Sequence, residues 1–240
     1  THTQARYVLP PVIAAIKRAF PRVDIDLQAA GDAEGLQKLA QDGADLALVS
    51  SAGPEPQGGL AVPLYRWRRV LLVPSTHRLA GRGRAPTLAE LVRHPLISYE
   101  SSTRADSSLR RAFAQAGVEP QVAMTARDAN LIKTYVRAGL GAGLLAEMAA
   151  GGREDADPGS GPGQALRILE APSELPECIT WAVIPRGRVL RDYALALLRG
   201  LAPQLDARDL RRVLEGNLEP QWPEPPRWEA SNAPPQALAL

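Results

Sequence analysis

The sequence predicts an α/β protein built from two similar units, on three observations. Segments with helical and strand periodicity alternate along the chain, the pattern of a sheet covered by helices. A motif recurs: Arg18-Ala19-Phe20 returns as Arg111-Ala112-Phe113, Asp32-Ala33 as Asp128-Ala129, Leu36 as Leu131 and Gly43 as Gly139. The 240 residues suit one large domain or two small ones, at roughly 150 residues per domain, and the repeat favours two.

The elements follow in order. Residues 3–20 place Leu9, Ile13, Ile16 and Phe20 on one helical face, with Thr3 as N-cap. Pro10 and Pro11 predict that the first turn is separate or kinked. Residues 23–29 alternate apolar and polar, as a half-buried strand does. Asp32 can cap a helix over 33–41 that Gly43 stops. Residues 46–50 (LALVS) are a short apolar run, the signature of a buried parallel strand. A Gly/Pro loop over 52–59 precedes strands at 61–65 and 70–74. Thr87 caps a short helix at 87–92, and 96–99 is a strand. Residues 107–116 are helical and 121–126 form a strand. Asp128 caps a helix with Leu131, Ile132, Tyr135 and Val136 on one face. Gly139 ends it, and a strand at 142–145 follows. Residues 151–164 are rich in Gly and Pro and read as a mobile loop. A strand at 179–184 and a helix at 188–201 complete the alternation, which argues for mostly parallel sheets. The last 25 residues are Pro-rich with two Trp, an extended or disordered tail.

Composition excludes several functions. The net charge of +2 is too near neutral for nucleic-acid binding through bulk charge. No apolar run approaches the ~20 residues of a membrane span. Cys178 is the one cysteine, which excludes an internal disulfide and a Cys-based zinc site and fits a reducing cytoplasm. Thr1 is not Met and no targeting pattern follows it, so the chain is expected to be processed, trimmed or incomplete. No Walker loop, HExxH, G-x-S-x-G or CxxC is present. The glycines from Gly139 to Gly143 follow a helix and precede a strand, the wrong order for a dinucleotide fingerprint, and read as helix-stop residues. His2, His77 and His94 are scattered without metal-ligand spacing, so no metal, cofactor or catalytic residue is expected.

Three hydroxyl clusters remain. Thr1, Thr3 and Gln4 lie at a helix start, whose free N–H groups either receive ordinary capping by Thr3 or hold an anion. Ser50 and Ser51 end an apolar strand, where ligands of open α/β sheets lie. Ser101, Ser102, Thr103 and Arg104 form a turn between a strand and a helix start. Together they predict a cleft for a small polar or anionic ligand, placed between the two units.

Four runs carry a family resemblance: THTQARYVLPPVIAAIKRAFPRV, ADLALVSS, PLYRWRRVLLVPSTHRLA and TARDANLIKTYVRAGLGAGLLAEMA. They resemble the effector-binding domain of LysR-type transcriptional regulators, in particular the CysB-like subgroup that controls sulfur assimilation and cysteine synthesis genes. The THTQARY start, Tyr65-x-Trp67 and the D-x-x-x-I-K-T-Y-V-R-x-G-L-G run from Asp128 are specific to that subgroup. The similarity covers about residues 1–203; the tail after about Gly216 has no counterpart. The resemblance implies two Rossmann-like subdomains joined by crossover strands, like a type II periplasmic binding protein. Subdomain I would hold residues 1–63 and 176–205, subdomain II residues 64–175, and 206–240 a C-terminal helix and Pro-rich tail. The crossing strands would lie at 61–73 and 179–184.

The resemblance further implies an inter-subdomain cleft that takes sulfate-like anions, O-acetylserine or N-acetylserine. Thr1, Thr3 and Gln4 match the family's anion-contacting helix start. Ser50 stands where the family has Thr, and Trp67 matches a cleft Trp. Residues 100–107 (ESSTRADS) depart from the family's TxxFTGR-like turn, so either Thr103 or Arg104 takes its third hydroxyl position, and Arg104 would change the charge preference. The family's N-terminal winged helix-turn-helix, its linker helix and the strand leading into Thr1 have no counterpart in this sequence, so DNA is expected as a partner only through that separate domain. A cytoplasmic homodimer or homotetramer is implied, with no catalysis. The alternative reading is a periplasmic solute-binding protein for a small oxyanion. A third, an enzyme acting on an anion through Asp128 or Glu100, has no base or nucleophile beside the hydroxyl clusters to recommend it.

Overall fold

A computed structural model describes residues 1–151, 165–187 and 190–228. They form two compact units, Thr1–Trp67 with the chain from Cys178 onward, and Arg68–Glu177.

The first unit begins with two helices, α1 (His2–Tyr7) and α2 (Leu9–Ala19). They are separated at Val8, and Pro10 falls in the first turn of α2, where its missing N–H costs nothing. Of the two expected outcomes, the first turn is a separate helix. Thr3 is not the N-cap: Thr1 holds that position without a side-chain capping bond, and Thr3 is buried inside α1. Next come α3 (Asp32–Ala40), β1 (Ala47–Ser51) and β2 (Leu60–Trp67). After the second unit the chain adds β8 (Cys178–Ile184), α7 (Asp192–Leu201) and α8 (Ala207–Leu214). The sheet order is β1-β8-β2, with both pairs antiparallel. Parallel strands were expected here, but the central strand is supplied by the returning chain and runs against both neighbours. One face of the sheet (Ala47, Val49, Ala61, Trp181, Val183) packs on Leu39 and Leu36 of α3. α2 packs against α7.

The strand expected at 23–29 does not form. No described strand pairs with it, and Ile25 and Leu27 are 39% and 49% exposed. Alternation alone makes no strand without a hydrogen-bonding neighbour.

The second unit holds β3 (Arg69–Pro74), α4 (Leu88–Leu91), β4 (Leu96–Tyr99), α5 (Ser108–Gln115), β5 (Val122–Ala126), α6 (Ala129–Arg137), β6 (Ala142–Ala146) and β7 (Leu166–Glu170). Its sheet order is β5-β4-β6-β3-β7. β4 pairs in parallel with β5 and β6, whereas β3 pairs antiparallel with β6 and β7, so the sheet is mixed. β7 has no sequence-based expectation: three of its five residues are exposed and its run is short. A core of Leu71, Leu88, Leu91, Leu96, Leu109, Phe113 and Leu144 lies on one side. α6 packs against β3, β4 and β6.

Two of the expected caps form. Thr87 and Glu90 form a capping box on α4, and Asp128 accepts from Asn130 N and Leu131 N on α6. Gly139 takes φ +79° just beyond α6, the left-handed stop that favours glycine. Gly143 is different: a Cβ there would meet Val136 Cγ2 at 2.8 Å and Ile132 Cγ2 at 3.0 Å, so its lack of a side chain lets α6 approach β6. The expected loop at 151–164 lies outside the described residues apart from Gly151, and so does the tail from 229.

Candidate functional site

A polar row crosses the first unit's sheet. Ser50 of β1 and Tyr65 of β2 both pair with Thr180 of β8, so pleating turns their side chains to the same face, opposite the apolar face that α3 covers. Trp67, two residues beyond Tyr65, shares that face. Gln4 reaches it from α1.

These groups form one hydrogen-bonded cluster. Gln4 Nε2 donates to Ser50 Oγ at 3.2 Å and to Thr180 Oγ1 at 3.3 Å. Trp67 Nε1 donates to Thr180 Oγ1 at 3.0 Å. The Ser50 and Thr180 hydroxyls lie 3.2 Å apart. Two N–H donors fill both lone pairs of Thr180, so Thr180 must give its own proton to Ser50. Ser50 then accepts from Thr180 and from Gln4, and its own O–H has no acceptor within the cluster. Gln4 Oε1 is buried without a hydrogen bond, and the buried Tyr65 hydroxyl lies beside the Thr180 and Gln4 side chains without a well-formed hydrogen bond to either. Burial pushes the Tyr65 phenol pKa up from its ordinary value, keeping it a protonated donor. The row therefore offers two hydroxyl donors and one amide acceptor, all neutral.

Asp32 lies behind the row. It is the first residue of α3 rather than its N-cap, a place that Gly31 takes. Its Oδ1 accepts from Ser50 N at 2.8 Å. Burial raises its carboxyl pKa, opposed chiefly by that hydrogen bond.

The predicted residues are thus divided. Gln4, Ser50 and Trp67 converge on Thr180. Thr1 donates its backbone nitrogen to Leu48 O at 3.2 Å, and Thr3 is buried in the same helix. Thr103 and Arg104 belong to the second unit, and their groups are engaged locally. Thr103 Oγ1 donates to Glu100 O at 2.8 Å within a 3-10 turn over Glu100–Thr103. Arg104 pairs with Asp106 at 3.2 Å on the surface. That turn is not the start of α5, whose N-cap is Ser107.

Thr180 and Tyr65 were missed by the sequence reading. Both sit in strands that had been recognised, and period-2 alternation with Trp67 was the signal that could have flagged Tyr65. Thr180 carries no local signal, because its partners lie over a hundred residues away. The histidines also differ from expectation: the His77 and His94 rings lie 4.9 Å apart. Burial, together with Arg78 beside both and their neighbouring cations, lowers their pKa values. Among the described residues no cluster of three or more His, Cys, Asp or Glu is arranged to hold a metal, and no helix is long and apolar enough to cross a membrane.

Comparison with known proteins fits this architecture. The chain is 32% identical over 219 residues to the HTH-type transcriptional regulator CysB of Burkholderia cenocepacia, covering 91% of this chain and 67% of that protein. It is 34% identical over 221 residues to the HTH-type regulator cbl of Escherichia coli, covering 91% and 67%. Among solved structures, the cofactor-binding domain of the Cbl transcriptional regulator superposes with a TM-score of 0.74 at 32% identity, over 89% of this chain and 90% of that one. These relatives are transcriptional regulators, not enzymes. The LysR substrate binding domain profile matches residues 1–206, and the chain belongs to that family.

Proposed function

We propose that this chain is the effector-sensing domain of a regulator of sulfur assimilation and cysteine biosynthesis genes, and that it binds a small oxyanion or an acetylserine-type inducer. The observation that carries the reading is the proton balance of the row. With the lone pairs of Thr180 taken, the hydroxyls of the partly exposed Ser50 and the buried Tyr65 are left as donors, where an acceptor oxygen of a ligand gains most. Neutral donors hold an oxyanion without supplying a nucleophile or base, which suits a sensor. Gln4 Oε1 adds an acceptor that an amide or ammonium hydrogen of an acetylserine would satisfy and sulfate would not. Trp67 walls the site, with Thr1 and Thr3 on the same helix as Gln4.

Thr103 and Arg104 of the second unit are further ligand contacts that the family resemblance implies. Recruiting Arg104 would mean opening an exposed pair with Asp106, which costs little. The ligand favours one arrangement of the regulator and shifts its population. DNA binding, assembly as a homodimer or homotetramer, and action in the cytoplasm belong in this reading to the longer protein, since the relatives extend well beyond the matched region.

The test is calorimetric titration with sulfate, thiosulfate, O-acetylserine and N-acetylserine. Saturable binding of at least one is expected, weakened about fivefold to thirtyfold by Ser50→Ala, the equivalent of ~1–2 kcal/mol for one hydrogen bond. No heat with any of the four, from a chain shown to be folded, would overturn the reading. Arg104→Ala should cost more affinity for an anion than for a neutral analogue; equal losses would remove Arg104 from the site.

A further inference from the structure

Beyond α8 the chain occupies the edge of β2 that faces away from β8. Trp222 Nε1 donates to Ala61 O at 3.0 Å. Arg66 N donates to Pro226 O at 2.8 Å, and Trp228 N donates to Arg66 O at 2.6 Å. The two bonds straddle Arg227 and make a parallel bridge to Arg66, the pattern of an added parallel strand. The Trp222 side chain reaches Ala61, at the start of the same edge that Arg227 bridges at Arg66. The Arg66 side chain ties the same segment down: Nε donates to Pro225 O at 3.0 Å, and Nη1 pairs with Glu224 Oε1 at 2.7 Å.

The segment is suited to this place. Pro220, Pro223, Pro225 and Pro226 hold it extended before it docks, which lowers the entropy lost on docking. Proline offers no N–H, so it is tolerated on an outer edge and stops further strands from adding there. At the far end, the Trp228 ring lies 5.2 Å from the Tyr65 ring, tilted by 52°. The Tyr65 hydroxyl makes no well-formed hydrogen bond, although the Thr180 and Gln4 side chains lie beside it, so packing against the Trp228 ring adds to what restrains the Tyr65 ring. This segment also lies beyond the residues that match the family, 1–206.

We propose that residues 222–228 are a strap, added in parallel to the outer edge of β2, and that Trp228 is a positioning residue that sets the Tyr65 ring in the polar row. The strap stands on its own contacts. Its effect on ligand affinity rests on the ligand site proposed above.

The test uses the full chain labelled with 3-fluorotyrosine, with the Tyr65 resonance assigned through Tyr65→Phe. Trp228→Ala should move and broaden that resonance and speed amide exchange at Arg66 at least tenfold. It should weaken sulfate binding severalfold, and Trp228→Phe should restore both ring position and affinity. An unchanged Tyr65 resonance and unchanged Arg66 exchange in Trp228→Ala would overturn the strap. A moved ring with sulfate affinity held within twofold would overturn the positioning role. If the unmodified chain binds no sulfate, sulfate is excluded as ligand and the affinity claim falls with it, while resonance and exchange still decide the strap.

Discussion

Thr180 is fully buried and accepts from both Trp67 and Gln4. Thr180→Val keeps the shape and removes the acceptor, leaving a buried indole N–H without its partner. The expected cost is ~1–3 kcal/mol, read as a lower urea midpoint at unchanged slope. Ser50 is half-exposed, so Ser50→Ala should cost far less stability while weakening the ligand more. A Thr180→Val chain as stable as its parent would refute the shared-acceptor arrangement. Asp32 sets a pH dependence. Its folded pKa lies above the ordinary 3.8, so the folded state binds the extra proton, and its contribution to stability falls as pH rises from 3.8 through the raised value. Asp32→Asn keeps an acceptor for Ser50 N and should flatten that decline in thermal melts across the window. An anion at the neighbouring row should also bind more tightly at the low end of it, because the carboxylate's repulsion is then gone. Equal slopes in mutant and parent would assign the decline to other groups.

At the scale of elements, short-range chemistry explains most of what forms. Asp128, Ser107 and Asp206 each accept from backbone N–H groups of the first turn they precede, and Pro10 and Pro11 coincide with a break into α1 and α2. Where an element needs a distant partner, local pattern fails. Residues 23–29 have a strand's alternation and no neighbour, whereas β7 has a weak pattern and forms because β3 offers an edge. The contact of α6 with β6 is tested at Gly143. Gly143→Ala should destabilise by ~1–3 kcal/mol through overpacking, seen as a lower denaturation midpoint, because the added carbon would sit inside the normal contact distances to Val136 and Ile132. Gly139→Ala should instead cost through its left-handed φ, with open space around it, so a compensating small residue at 136 should rescue Gly143→Ala alone.

At the scale of the whole molecule, the chain passes from the first unit to the second after Trp67 and returns at Cys178, so the first sheet is closed only when β8 arrives. The polar row is then a product of the complete chain. A ligand that binds there stabilises the folded chain, by about 2.7 kcal/mol at a hundred times its Kd. Thermal melts with each effector candidate should therefore rise with concentration, and the rise should shrink in Ser50→Ala with the logarithm of its loss of affinity. A rise of the same size in Ser50→Ala would point to salt acting on the surface in general.

The sequence by itself determined the α/β class, most helices, the caps at Thr87 and Asp128, the division into two units and the family, and it singled out Gln4, Ser50 and Trp67, which the fold brings together on Thr180. These rest on periodicity and capping, which act within a few residues, or on runs that the family shares. Tertiary structure alone decided that Thr180 and Tyr65 join the row, that 23–29 stays unpaired, that His77 meets His94, and that the Pro-rich tail is pinned to Arg66. Each of these depends on which backbone lies alongside across a long stretch of chain, and hydrogen-bond pairing over that distance leaves no trace in local periodicity.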